Sequence, residues 1–215
     1  MTPQTVNAYY NPLKNEIVFP AAILQPPFFD PSADPAVNYG GIGAVIGHEM
    51  LHGYDDQGSQ FDATGKQQNW WTEDDLAKFK ARTNQLKAQF DDYVHVNDPK
   101  EGALHVDGQL TMGENIADLG GLTVAYDALQ RYLVNKRMGE IDGFSQDQRF
   151  FLNWATVWRR NYTMEEAKVR LKTDSHAPAP FRAIGAPSNM AAFANAFECK
   201  AGNAMVRGDK SILIW

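Results

Sequence analysis

The sequence predicts an α+β fold that is mainly helical. Three observations carry this expectation. Apolar residues recur at helical spacing in several separate windows. Threonines followed three residues later by Asp or Glu mark helix starts, at Thr72/Asp75 and Thr163/Glu166. The β-branched and aromatic runs that suit strands are short and cluster near the beginning of the chain. With 215 residues, 44% of them hydrophobic and 12% aromatic, the chain has enough apolar surface for one sizeable ordered core.

Taken in order, Thr5–Tyr10 and the run Ile17-Val18-Phe19 predict two short strands joined around Asn11-Pro12, with Asn15 also turn-forming. Such a strand at the edge of a cleft suits an extended peptide adding as a further strand; a hairpin that merely covers the core is the plain alternative. Pro26, Pro27, Pro31 and Pro35 then predict a loop. It leads to Gly43–Gly58, where His48-Glu49-Met50-Leu51-His52 sits among apolar Val45, Ile46, Met50 and Leu51, consistent with a buried helix. Residues four apart share a helix face, so His48 and His52 can offer ring nitrogens to one ion. Zinc lowers the pKa of a water, and Glu49 stands where a carboxylate takes its proton.

Asp55–Gly58 and Asp62–Gly65 read as turns; the second lacks the ligand spacing of a calcium loop. Leu76, Phe79, Leu86 and Phe90 predict a long packing helix opened near Thr72. A second helix is expected from about Thr111 through Leu133. On it Glu114 and Asp118 are four apart. Glu114 suits a third metal ligand and Asp118 a partner that orients a histidine, but Thr111 and Glu114 also match a capping box, and spacing alone leaves both open. Further helices are expected over 145–160, 163–172 and 188–197. His95, His105 and the single Cys199 read as structural.

Net charge is −6 with no basic block, which points away from nucleic acid. No apolar run reaches the ~18 residues of a membrane span, and the first residues lack the layout of a signal peptide.

Four motifs, in order, carry a resemblance: VNAYYN at 6–11, VIGHEMLHGYDDQG at 45–58, GENIADLGGL at 113–122 and DSHAPAPFRAIG at 174–185. They resemble the catalytic part of the neprilysin and endothelin-converting-enzyme family of zinc endopeptidases. The resemblance runs from Val6 to Trp215 and implies a zincin fold, like the catalytic lobe of a thermolysin-like metallopeptidase. It implies one zinc ion on His48, His52 and Glu114, Glu49 as general base, and Asp118 as a partner of the ligands. It further implies that Asn7, Ala8 and Arg182 hold substrate backbone, and that His176, beside Asp174, stabilises the transition state. Val157 and Trp158 are expected to line an apolar pocket beyond the cleavage point, with Val45 a further candidate.

Family members carry a long segment ahead of the first motif, forming a second lobe over the cleft. Residues 1–215 are therefore expected to be the catalytic, C-terminal portion of a longer two-lobed enzyme, able to self-associate through surface that lobe would cover. The family implies an extracytoplasmic location: periplasmic, secreted or cell-surface. Ile212-Leu213-Ile214-Trp215 keeps the terminal Trp of animal members but not their Cys and Arg, and Arg159 stands where they have Cys. That points to a bacterial-type member and weakens the case for recognition of a substrate C-terminus. Two other readings stand beside the peptidase: a peptide-binding piece with little turnover, and a structural zinc site, for which no fourth protein ligand stands out.

Overall fold

The computed structural model describes residues 1–136 and 139–215. About half of the described residues are helical, and the strands form two separate two-stranded antiparallel sheets. The expected α+β, mainly helical class is what forms.

The first sheet pairs β1 (Tyr9–Asn11) with β2 (Glu16–Val18), Tyr10 opposite Ile17. β1 begins later than expected, so Asn7 and Ala8 precede it. Asn11 belongs to the strand, and its Oδ1 accepts the Leu13 N–H to start the turn. Asn15 ends the turn at φ 48°, a left-handed conformation that asparagine tolerates.

The proline-rich segment is shorter than expected, because Pro35 opens α1 (Pro35–Asn38) behind the N-cap Asp34, whose carboxylate accepts the Ala36 N–H. A π-helical turn over Tyr39–Gly43 joins α1 to α2 (Ala44–Leu51), and a 3₁₀ turn over His52–Tyr54 ends the run. One face of α2 is buried at Ala44, Gly47, His48 and Leu51, whereas Ile46 and Met50 are exposed. The apolar flanks of the histidines are thus split between core and surface.

The long helix α3 (Glu73–Asp91) is capped by Thr72, which accepts from the Asp75 N–H. Its Phe79, Leu86 and Phe90 are buried as their spacing predicts. Trp70 and Trp71 lie ahead of it, stacked on one another. The hairpin of β3 (Val94–Asp98) and β4 (Gly102–His105) is an element not expected from the sequence. It is anchored by Lys168, which bridges Asp98 and Glu101.

α4 (Met112–Tyr132) is the central helix, with Ile116, Leu122 and Leu129 fully buried. It crosses α2 at close range. A Cβ on Gly47 would lie 2.4 Å from the Gly121 carbonyl oxygen, and one on Gly121 would lie 2.3 Å from the His48 nitrogen. Backbone touches backbone there, which only glycine permits. α5 (Gln146–Val157) packs against α1 and the π-helical turn, opened by a full capping box between Ser145 and Gln148. α6 (Met164–Thr173) is capped by Thr163. α7 (Ala179–Gly185) forms where a loop was expected, begun by Pro178 and Pro180 at positions that need no N–H donor. The helix expected over 188–197 is a 3₁₀ turn at Pro187–Asn189 followed by α8 (Ala191–Ala196).

Candidate metal centre

The α2–α4 crossing decides what faces what. Asp118, one turn beyond Glu114 on α4, accepts from His48 Nδ1 at 2.8 Å. His52, at the end of α2, is held likewise: its Nδ1 meets Asp55 Oδ2 at 2.7 Å. The other Asp55 oxygen accepts the backbone N–H groups of Gln57 and Gly58. The Asp55 turn expected from sequence therefore also fixes a histidine, a role not anticipated for it. The signal was present as an acid three residues after His52, on a turn that brings it back to the ring.

With both Nδ1 atoms engaged, both Nε2 atoms turn toward Glu114. His48 Nε2 is 3.1 Å from Glu114 Oε2, and His52 Nε2 is 3.6 Å from Oε1. His176 joins them, its Nε2 3.3 Å from Oε1 and its Nδ1 2.8 Å from Asp174 Oδ1. Glu114 does not act as a cap; the Thr111 hydroxyl donates to the Asp107 carbonyl instead, and Thr111 makes no capping bond. Glu114 Oε2 is buried and makes no hydrogen bond. An orphaned carboxylate oxygen facing two imidazoles whose far nitrogens are pinned by acids is the donor arrangement of a zinc site. His48, Glu49 and His52 also each present a ligand atom within 4.8 Å of the others. The residues present fit the ion.

Burial opposes charge on Glu114, yet His48, Arg182 and His176 hold its carboxyl well below the usual range. Burial similarly opposes ionisation of Asp118, and Arg182 and His48 overcome it. Arg182 is itself buried and binds Asp118 with two bonds of 2.7 Å, from Nε and Nη2. Its guanidinium also lies 3.9 Å over the Trp158 ring. Glu49 is different: burial pushes its carboxyl up, only partly offset by His48 and His52. It makes no hydrogen bond among the described residues, so a buried carboxylate with raised proton affinity stands beside the histidines.

These residues line one cleft of about 690 Å³. Asn7, Ala8, Val45, Trp158 and Arg182 are on its walls, as are Glu49, Glu114, Asp118 and His176. Val157 is not: it is buried in the core, one residue before the Trp158 that reaches the cleft. His95, read as structural, also reaches the wall, with its ring edge on Phe181. His105 is fixed outside, on the Asp91 carbonyl.

The family model for peptidase family M13 matches residues 7–212. Neprilysin-11 of Caenorhabditis elegans is 44% identical over 219 aligned residues, covering 100% of this chain and 25% of that protein. Human endothelin-converting enzyme 1 is 44% identical over 209 residues, covering 95% of this chain and 26% of its own length. Among solved structures, the Mycobacterium tuberculosis zinc metalloprotease Zmp1, in complex with an inhibitor, superposes with a TM-score of 0.97 at 51% identity. It is covered to 33%, and this chain to 100%. PepO from Lactobacillus rhamnosis matches at a TM-score of 0.84 and 38% identity, over 98% of this chain and 31% of its own. The chain thus spans about a quarter of these curated relatives and about a third of the solved chains.

Proposed function

The chain belongs to peptidase family M13, and from that premise we propose that residues 1–215 are the catalytic portion of a zinc endopeptidase acting on oligopeptides. The observation that carries this is the convergence of His48, His52 and Glu114 beside an unpaired, buried Glu49. His48, His52 and Glu114 would hold the one zinc ion, which supplies Lewis acidity toward a water and a scissile carbonyl. Glu49 accepts the proton of the attacking water and returns it to the leaving amine; its raised proton affinity suits that exchange. Asp118 and Asp55 fix the ligand rings. His176, oriented by Asp174, donates toward the oxygen on which negative charge develops.

Asn7 and Ala8 sit on the cleft wall just before β1, placed to bind an extended peptide backbone. Arg182 gives Nε and one N–H of Nη2 to Asp118, and Nη2 also lies 3.5 Å from Glu114 Oε2, which leaves Nη1 for any contact with substrate backbone. Trp158, with Val157 as its support from the core, shapes the apolar side of the cleft. The partner implied by the greater length of the relatives is a further lobe of the same enzyme, and the family resemblance favours an extracytoplasmic setting. Among the described residues no helix is long and apolar enough to cross a membrane.

A second reading, a peptide-binding piece with little turnover, is favoured only by the small share of its relatives that the chain spans. One substitution separates the two. Glu49→Gln keeps size and removes the proton acceptor, so the protein should retain its zinc and lose hydrolysis of a quenched-fluorescence peptide library by at least about a hundredfold. Loss of zinc along with activity would assign Glu49 to the metal. No hydrolysis by the unsubstituted, zinc-loaded protein would favour the binding reading.

A further inference from the structure

Of the arginines on the cleft wall, one is left uncompensated by its surroundings. Three arginines line it: Arg160, Arg170 and Arg182. Arg182 is neutralised by Asp118. Arg170 bridges Glu166 and Asp174 at 2.7 and 2.8 Å. Arg160 has no ion pair among the described residues; it is exposed, three residues past the end of α5, with its guanidinium 5.6 Å from the Trp158 ring centroid. The acids of the wall are spoken for in turn, by His52, His48, Arg182, Arg170 and His176. Among the described acids of the wall only Glu49 is left over, and it lies at the reacting centre.

From this we infer that Arg160 is a specificity-determining residue of the cleft, selecting peptides that place a carboxylate beside Trp158. The inference rests on the peptidase reading of the site. A guanidinium is a planar fork that matches a carboxylate with two parallel hydrogen bonds, and the neighbouring indole limits where that fork can sit. The carboxylate comes either from an acidic side chain or from a free peptide C-terminus; both present the same two oxygens. Because Arg160 is exposed, water and salt screen the pair, and the discrimination is modest, about fivefold.

The test measures binding separately from turnover. Zinc-loaded protein carrying Glu49→Gln is titrated with labelled peptides in matched pairs. One series exchanges Glu for Gln along the peptide with the C-terminus amidated; the other compares free and amidated C-termini. Fluorescence anisotropy should show the acidic member of one series binding about fivefold tighter, with the difference shrinking as salt rises. Whichever series shows it identifies the source of the carboxylate. Adding Arg160→Gln should abolish the difference, Arg160→Lys should keep part of it, and Arg160→Glu should reverse it in favour of the uncharged member of the pair. Equal affinities within every pair, a preference that survives Arg160→Gln, or no binding of any peptide would overturn the inference. Failure of the peptidase reading would show elsewhere, as absent cleavage by zinc-loaded protein that retains Glu49.

Discussion

Asp55 and Asp118 perform one task on two histidines: each accepts a hydrogen bond from the Nδ1–H, so that Nε2 is the nitrogen left to face a metal. Asp55→Asn or Asp118→Asn should therefore weaken zinc binding by roughly 10–100-fold, measured by competition with a chromogenic chelator. Asp118→Asn should also reduce stability, because it leaves the buried Arg182 with only its longer 3.5 Å contact to Glu114; breaking a buried ion pair costs on the order of 3–5 kcal/mol. Without metal, burial pushes the His48 ring down, but Asp118 and Glu114 outweigh it and raise the ring to about 10. A raised folded-state value stabilises the metal-free protein fully below the ordinary imidazole value of ~6.5, and that contribution is lost as pH rises through about 10. Zinc takes the neutral ring, so zinc binding at pH 8 should release about one proton from His48. Titration calorimetry in two buffers of different ionisation enthalpy counts it; no buffer dependence would contradict the assignment.

At the scale of elements, the site depends on how closely α2 and α4 approach. Gly121→Ala puts a methyl group against the His48 backbone nitrogen, where the space is 2.3 Å. The helices must separate, at a cost of roughly 1–3 kcal/mol by overpacking. A lowered melting temperature together with weaker zinc binding is the expected result; a lowered melting temperature with unchanged zinc affinity would show that the crossing does not set the ligand geometry. The parts legible in sequence are those governed by local rules. The caps at Thr72 and Thr163 and the apolar spacing of Phe79, Leu86 and Phe90 are legible because a helix start and a helix face are properties of neighbouring residues. His48 and His52 are legible for the same reason. The β3–β4 hairpin is not, although Val94 and Val96 alternate and Asp98-Pro99 marks a turn, since the contact that anchors it, Lys168 on Asp98 and Glu101, comes from a helix distant in sequence. α7 is hidden because prolines that usually break a helix occupy its first turn. Whether Glu114 caps or faces the histidines is not legible from spacing, because the outcome depends on two glycines that let α4 close on α2.

At the scale of the whole molecule, several large apolar side chains are exposed: Ile46 and Met50 on α2, Tyr54 in the 3₁₀ turn after it, Val6 on the cleft wall and Leu13 in the turn between β1 and β2. Ile46 and Met50, four residues apart, share one face of α2, and an exposed apolar face is one that another body can cover. If the remaining lobe of the enzyme is that cover, residues 1–215 on their own should self-associate as concentration rises. Sedimentation velocity tests this: Ile46→Lys with Met50→Lys should restore a monomer, and a chain that stays monomeric without those changes would contradict it. On the proposed reading, in which a further lobe covers the cleft, supplying that lobe should raise activity and narrow the range of peptide lengths cleaved, since closing the cleft removes water that weakens every charge interaction inside it. The peptidase chemistry presupposes the metal. Diffraction from crystals grown with zinc, recorded on either side of the zinc absorption edge, is the most direct check. One anomalous peak per chain is expected, about 2.0–2.2 Å from His48 Nε2, His52 Nε2 and a Glu114 oxygen, with Glu49 outside ligand distance. A peak elsewhere, or one ligated by Glu49 in place of Glu114, would contradict the zinc assignment.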